Sequence, residues 1–128
     1  MAFEFERRIE KTIKDSERNH NETIDNVREL KDRISELEIS ISEKGNAENS
    51  KETHELNSLE EKLNASLDSL ILRSEAEWED YRRLEQESKA RGFDPARLEA
   101  FKAICKKTEE LAKDLLCYSL GRFRRKDQ

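Results

Sequence analysis

Between residues 9 and 41, core-type positions recur at alternating steps of four and three: Ile9, Ile13, Ser16, His20, Thr23, Val27, Leu30, Ile34, Leu37 and Ile41. That spacing lines them up along one stripe of an α-helix, a seam made to meet another helix. The a positions are Ile13, His20, Val27, Ile34 and Ile41; the d positions are Ile9, Ser16, Thr23, Leu30 and Leu37. β-Branched residues at a with Leu at d is the preference of a parallel two-stranded coil. Only Val27 to Ile41 is strongly apolar. Ser16, His20 and Thr23 make a polar gap, and polar seam residues cost stability while fixing register or partner. In a parallel homodimer Arg33 would face Glu38, but Thr12–Glu17, Asn19–Ile24 and Asn26–Lys31 carry no charge pairing. The seam therefore points to a different helix as its partner.

The rest of the chain agrees with helix. Gly (3) and Pro (1) are scarce in the 128 residues, so long uninterrupted helices can form. Charged residues make up 43% and hydrophobic ones 34%, a balance that disordered chains also show. Here the apolar residues are periodic, which favours folded helices. A chain this polar buries little surface by itself. Its helices either form a thin rod with one seam each or complete their cores on partner chains.

Local signals set the boundaries. The first helix is expected over about 3–44, with Gly45 and Asn46 able to take the left-handed cap. Asn49 or Ser50 restarts the chain, Asn49 and Glu52 having capping-box spacing. The second helix, about 50–90, reads as an eleven-residue repeat: Leu56, Leu59, Leu63; Leu67, Leu70, Ser74; Trp78, Tyr81, Glu85. Such a repeat predicts a nearly straight coil that mismatches the heptads of the first helix. Gly92 should cap it. Phe93-Asp94-Pro95 then starts a third helix, with Asp94 as N-cap, Pro95 at N1 and Phe93 stapled to Leu98. This helix is expected to end at Leu120, with Gly121 as its stop. Its face of Leu98, Phe101, Ile104, Cys105, Leu111, Ala112, Leu115 and Tyr118, widened by Leu116 and Leu120, is broad enough for two neighbours.

All eight aromatics lie outside residues 6–77. A hairpin turn near 45–50 sets Trp78 opposite Ser16 and Tyr81 opposite Ile13, large against small. The expected architecture is all-α: an antiparallel hairpin of two long coiled-coil helices (1–90), a shorter third helix (91–121) at an aromatic-rich base, and a basic tail (122–128).

Chemistry finds little support. His20 and His54 lie on different helices, with no HExxH or Cys/His spacing for zinc. Glu60-Glu61 and Glu79-Asp80 are adjacent on helices, so their carboxylates diverge. No phosphate-binding Gly-rich loop or GxSxG occurs. Cys105 and Cys117 form no CxxC and read as small apolar helix residues. No catalytic, cofactor-binding or metal-ligating residue is expected.

Charge is uneven. Residues 1–90 hold 15 Lys/Arg against 24 Asp/Glu, net −9, and residues 91–128 hold 10 against 6, net +4. Arg122-Phe123-Arg124-Arg125-Lys126 is the candidate contact for a charged surface, a membrane at its periphery before nucleic acid. The acidic run Glu75, Glu77, Glu79 and Asp80 around Trp78 reads as a solvated helix face.

The expected role is a non-enzymatic coiled-coil scaffold or adaptor subunit of a larger multiprotein complex, of the kind found by analogy in cytoskeletal, chromosome-segregation or organelle-tethering machinery. Val27, Leu30, Ile34, Leu37 and Ile41 would bury against a partner helix or the chain's own second helix. Other helical proteins are the expected partners, with a homodimeric spacer as one alternative and a charged-surface binder acting through the tail as another. Residues 1–15 carry no signal-peptide pattern and no stretch reaches membrane-span length, which predicts an intracellular protein, cytoplasmic or nuclear.

Overall fold

A computed structural model describes residues 2–44 and 51–126, with side chains placed for 4–44 and 51–122. Helix α1 runs Ala2–Lys44 and helix α2 Lys51–Arg91. A single 3-10 turn, Pro95–Leu98, leads into helix α3, Glu99–Lys126. The fold is all-α. The expected turn at 45–50, with its Gly45 and Asn49 signals, lies outside the described residues.

With 43 and 41 residues, α1 and α2 each extend about 60 Å. Contacts along the pair fix it as antiparallel. Arg8 pairs with Glu87 near the base. In the middle, the Arg73 guanidinium donates to the Thr23 hydroxyl at 2.6 Å. Arg33 pairs with Glu55 at 2.8 Å, and Lys44 with Glu52 at 2.6 Å at the far end.

The reversal into α3 is locally encoded. Gly92 sits at φ 74, a conformation only glycine adopts without strain. The Phe93 N–H donates to the Ser88 carbonyl at 2.8 Å and the Gly92 N–H to Lys89 at 3.2 Å, the paired bonds of a Schellman cap. The Asp94 carboxylate then accepts from the Ala96 N–H at 2.9 Å. Asp94 caps as expected, but the first turn is 3-10 rather than α. Replacing Asp94 with Ala removes that acceptor and is expected to cost about 1 kcal/mol, read from the urea midpoint.

Two expectations about α2 and α3 are corrected. Buried positions on α2 are Leu63, Leu67, Leu70, Ser74, Glu77, Tyr81, Leu84 and Ser88, a heptad rhythm of fours and threes throughout. The eleven-residue reading took Trp78 and Glu85 for the core. The interior line instead passes through Glu77 and Ser88, polar residues that hide the heptad from a hydrophobicity count. α2 and α1 therefore share one period, and no mismatch arises. Second, α3 does not stop at Gly121; it continues through Gly121 to Lys126. Gly121 keeps ordinary helical backbone, since its φ is not positive.

α3 also travels further than a base-packing helix. It lies antiparallel to α2, with Thr108 against Glu77 and Ser119 against Asn64 at 3.0 Å. It lies parallel to α1, from Arg97–Glu6 at 2.9 Å to Arg122–Glu38. The expected thin two-helix arm is thus a three-helix bundle over most of its length.

Candidate interaction surface

The interior divides into two apolar clusters. At the base, Phe5, Ile9, Tyr81, Leu84, Leu98, Phe101 and Cys105 pack together, with Ile13, Trp78 and Phe93 against them. Phe5 and Phe93 meet at 5.2 Å between ring centroids, and Trp78 meets Tyr81 edge-on at 5.9 Å. Further along, Val27, Ile34, Leu63, Leu67, Leu70, Ala112 and Leu115 form the second cluster, joined by Leu30, Leu56, Leu59, Leu111 and Tyr118. Burial in the first cluster pushes the Cys105 thiol up to about 12, with Glu77 adding to the shift, so Cys105 stays a neutral core residue.

The seam residues singled out from the sequence are used inside the chain. Val27, Ile34 and Leu37 are buried, Ile34 completely. Leu30 and Ile41 are half-buried. Leu30 lines a groove of about 520 Å³ between α1 and α2, beside Arg33, Leu59 and Lys62. The chain's own α2 and α3 supply the partner surface that the heptads call for.

Arg122 is also internal to the fold. Its side chain is 10% exposed and bridges Glu38 of α1 and Glu60 of α2, the latter at 2.6 Å. It lies over the Tyr118 ring at 5.8 Å. Its expected place in a free basic tail is corrected: it ties the end of α3 to both long helices. The side chains of Phe123, Arg124, Arg125 and Lys126 lie outside the described set.

Between the two clusters sits a polar layer. His20, Ser74, Glu77 and Thr108 are all buried. The Thr108 hydroxyl donates to the Glu77 carboxylate at 3.2 Å. Glu77 was read from the sequence as part of a solvated acidic run. The structure turns it inward, and burial raises its pKa above the ordinary carboxylate value despite Thr108 and Arg73. The period of α2 could have revealed this, since Glu77 falls three residues after Ser74 and four before Tyr81. Its charge argued the other way.

His20 enters the layer from α1, and among the described residues its Nδ1 has no hydrogen-bond partner. Burial lowers its pKa below 6.5, and the cations that face it, Lys107 from α3 and Arg73 from α2, push the same way. The stability held by the neutral ring is therefore complete above pH 6.5 and is lost as pH falls through the folded-state value. Glu77 runs oppositely: protonated it suits its site, and its share is lost as pH rises through the raised value. Comparing urea midpoints from about pH 8 to about pH 5, His20→Gln should gain steadily on the wild type as pH falls. Parallel curves for the two proteins would remove His20 from the acid response.

Outside the bundle, five large apolar side chains among the described residues face solvent: Ile39 (59% exposed), Ile71 (39%), Leu72 (67%), Leu116 (41%) and Leu120 (52%). The broad α3 face read from the sequence splits here. Leu98, Phe101, Ile104, Cys105, Ala112 and Leu115 are buried, while Leu116 and Leu120 point out. Only contiguous apolar patches mark interaction sites; single exposed apolar side chains are ordinary. Among the described residues no group of three His, Cys, Asp or Glu side chains is arranged to hold a metal ion, and no helix is long and apolar enough to cross a membrane. No family model, curated protein or solved structure matches this chain.

Proposed function

We propose that this chain is a non-enzymatic helical scaffold or adaptor, an intracellular subunit that works by presenting outer helix faces to other chains in a larger assembly. One observation carries the reading: the heptad seam is closed within the chain, yet Ile39, Ile71, Leu72, Leu116 and Leu120 remain on the outside. The exposed part of these side chains gives nothing to the stability of an isolated bundle, whereas its burial against another chain is favourable at about 25 cal/mol per Å². A rigid bundle also presents such residues at small cost in ordering entropy.

A native pull-down of the tagged full chain, with stoichiometry from quantitative mass spectrometry, tests this. A partner chain, of the same or another kind, should be retained in fixed ratio at moderate salt and lost in Leu116→Glu. Circular dichroism should give that variant the helicity of the wild type, because Leu116 is exposed. Recovery of no stoichiometric partner would overturn the reading.

A further inference from the structure

Among the described residues, three of the exposed apolar side chains, Ile71, Leu116 and Leu120, share one face. Ile71 lies one heptad from Asn64 and one from Trp78, which reach α3 through Ser119 at 3.0 Å and Glu109 at 3.1 Å. Ile71 is therefore on the flank of α2 that borders α3, while Leu72 points straight out of α2, beyond the line of Asp68 and Glu75. Leu116 follows Glu109 by one heptad, so it occupies the flank of α3 that borders α2. Leu120 lies one turn further along the same side.

Charge on this face is divided between the two helices. α2 carries Glu61, Asp68 and Glu75 at steps of seven, all exposed. None of them makes an ion pair among the described residues. α3 carries Lys106 and Lys113, also seven apart and exposed, Lys113 already pairing with Glu109 of its own helix at 3.5 Å. Pairing of Glu77 with Thr108 and of Asn64 with Ser119 fixes the register. In that register Asp68 is level with Leu116, Glu75 is level with Glu109, and Lys113 falls between the two acids in height. The face thus has an apolar centre, an acidic edge on α2 and a basic edge on α3.

We propose that this face docks a second copy of the chain. A two-fold axis parallel to the helices, placed between two such faces, brings α2 of each copy against α3 of the other at unchanged height. The acidic edge then meets the basic edge twice, and Ile71 of each copy meets Leu116 of the other across the axis. The interface is isologous and closes on itself. Four apolar side chains and a rim of exposed pairs place it among small, reversible interfaces. The proposal rests on the reading of the chain as a protein-interaction module, and names the partner for one of its faces.

Sedimentation equilibrium of the full chain over a concentration series tests it. The wild type should pass reversibly from 15.1 kDa to twice that mass. One variant, Lys106→Glu with Lys113→Glu, makes both edges acidic. A second, Asp68→Lys with Glu75→Lys, makes the α2 edge basic to match α3. Each alone should dimerise about tenfold or more weakly, from the loss of several exposed pairs. Mixed in equal amounts they should form a heterodimer, since each then offers the edges the other lacks. All substituted side chains are exposed, and circular dichroism verifies the fold of each variant before mixing. A wild type that stays monomeric, variants that dimerise like the wild type, or a mixture that stays monomeric would each overturn the proposal. A monomeric wild type that still captures a stoichiometric partner through Leu116 overturns the self-docking alone. A monomeric wild type that captures none overturns the wider reading too.

Discussion

Ile34→Asp should abolish the cooperative unfolding transition of this protein. Ile34 has no exposed surface and sits among Val27, Leu63, Leu67, Leu70, Ala112 and Leu115, so all three helices lose contacts when it is replaced. An unpaired carboxylate there costs about 3–5 kcal/mol, and the lost apolar packing adds to that. Domains of this size hold about 5–15 kcal/mol in all. A thermal melt by circular dichroism should show reduced helicity and a broad, shallow decline. Ile34→Val, which removes one methylene, should lose only about 1 kcal/mol and keep the sharp transition. If the Asp variant melts like the wild type, Ile34 is not at the meeting point of the three helices.

Glu77→Leu should act in the opposite direction, stabilising the bundle by about 1–2 kcal/mol, the burial gain of a Leu side chain less the hydrogen bond given up by Thr108. Glu77 occupies an interior heptad position with 7% exposure, and Thr108 is its hydrogen-bond donor among the described residues. Arg73, one turn earlier, favours its charged form, but burial outweighs both and raises the pKa. Leu fills the same position with no ion to desolvate. Thr108, freed from its acceptor, can return its hydroxyl to a carbonyl one turn back on α3. The urea midpoint should rise with the slope of the transition unchanged. A fall in the midpoint would mean that Thr108 and Arg73 together hold the carboxylate at a net gain. The same variant should also lose the part of the pH dependence that opposes His20.

These two sites show how far the sequence could be read. Ile34 was legible as interior from the heptads of α1, because that seam is apolar where it matters and its period is unbroken from Val27 to Ile41. Glu77 was not, because charge outvotes spacing in a hydrophobicity pattern. Trp78, large and apolar, drew the second helix into an eleven-residue frame. In the fold Trp78 is half-buried at the flank, its indole N–H donating to Glu109 at 3.1 Å. Arg122 was misplaced for a related reason. Gly121 read as a stop, which left the following basic residues as a tail. A glycine inside a helix costs only about 1 kcal/mol relative to Ala, and the bridge to Glu38 and Glu60 together with packing on Tyr118 offsets it.

The outer face of α2 and α3 was equally out of reach. Leu116 and Leu120 continue the apolar pattern of α3, so spacing alone counted them with the core. Their exposure follows from where α1 and α2 sit around α3, which no single-helix pattern contains.

What the sequence by itself determined are the local features: long helices, the seam of α1, and the Gly92-Phe93-Asp94-Pro95 reversal. Each depends on residues within a few turns of one another. Backbone angles, capping hydrogen bonds and the 3.6-residue period act at that range. Only the tertiary structure decided which seam meets which, that α3 runs nearly the length of the hairpin, that Glu77 and Arg122 face inward, and that Leu72 and Leu120 face out. Those outcomes depend on a third helix arriving from a distant part of the chain. Its burial energy selects among faces that are locally equivalent.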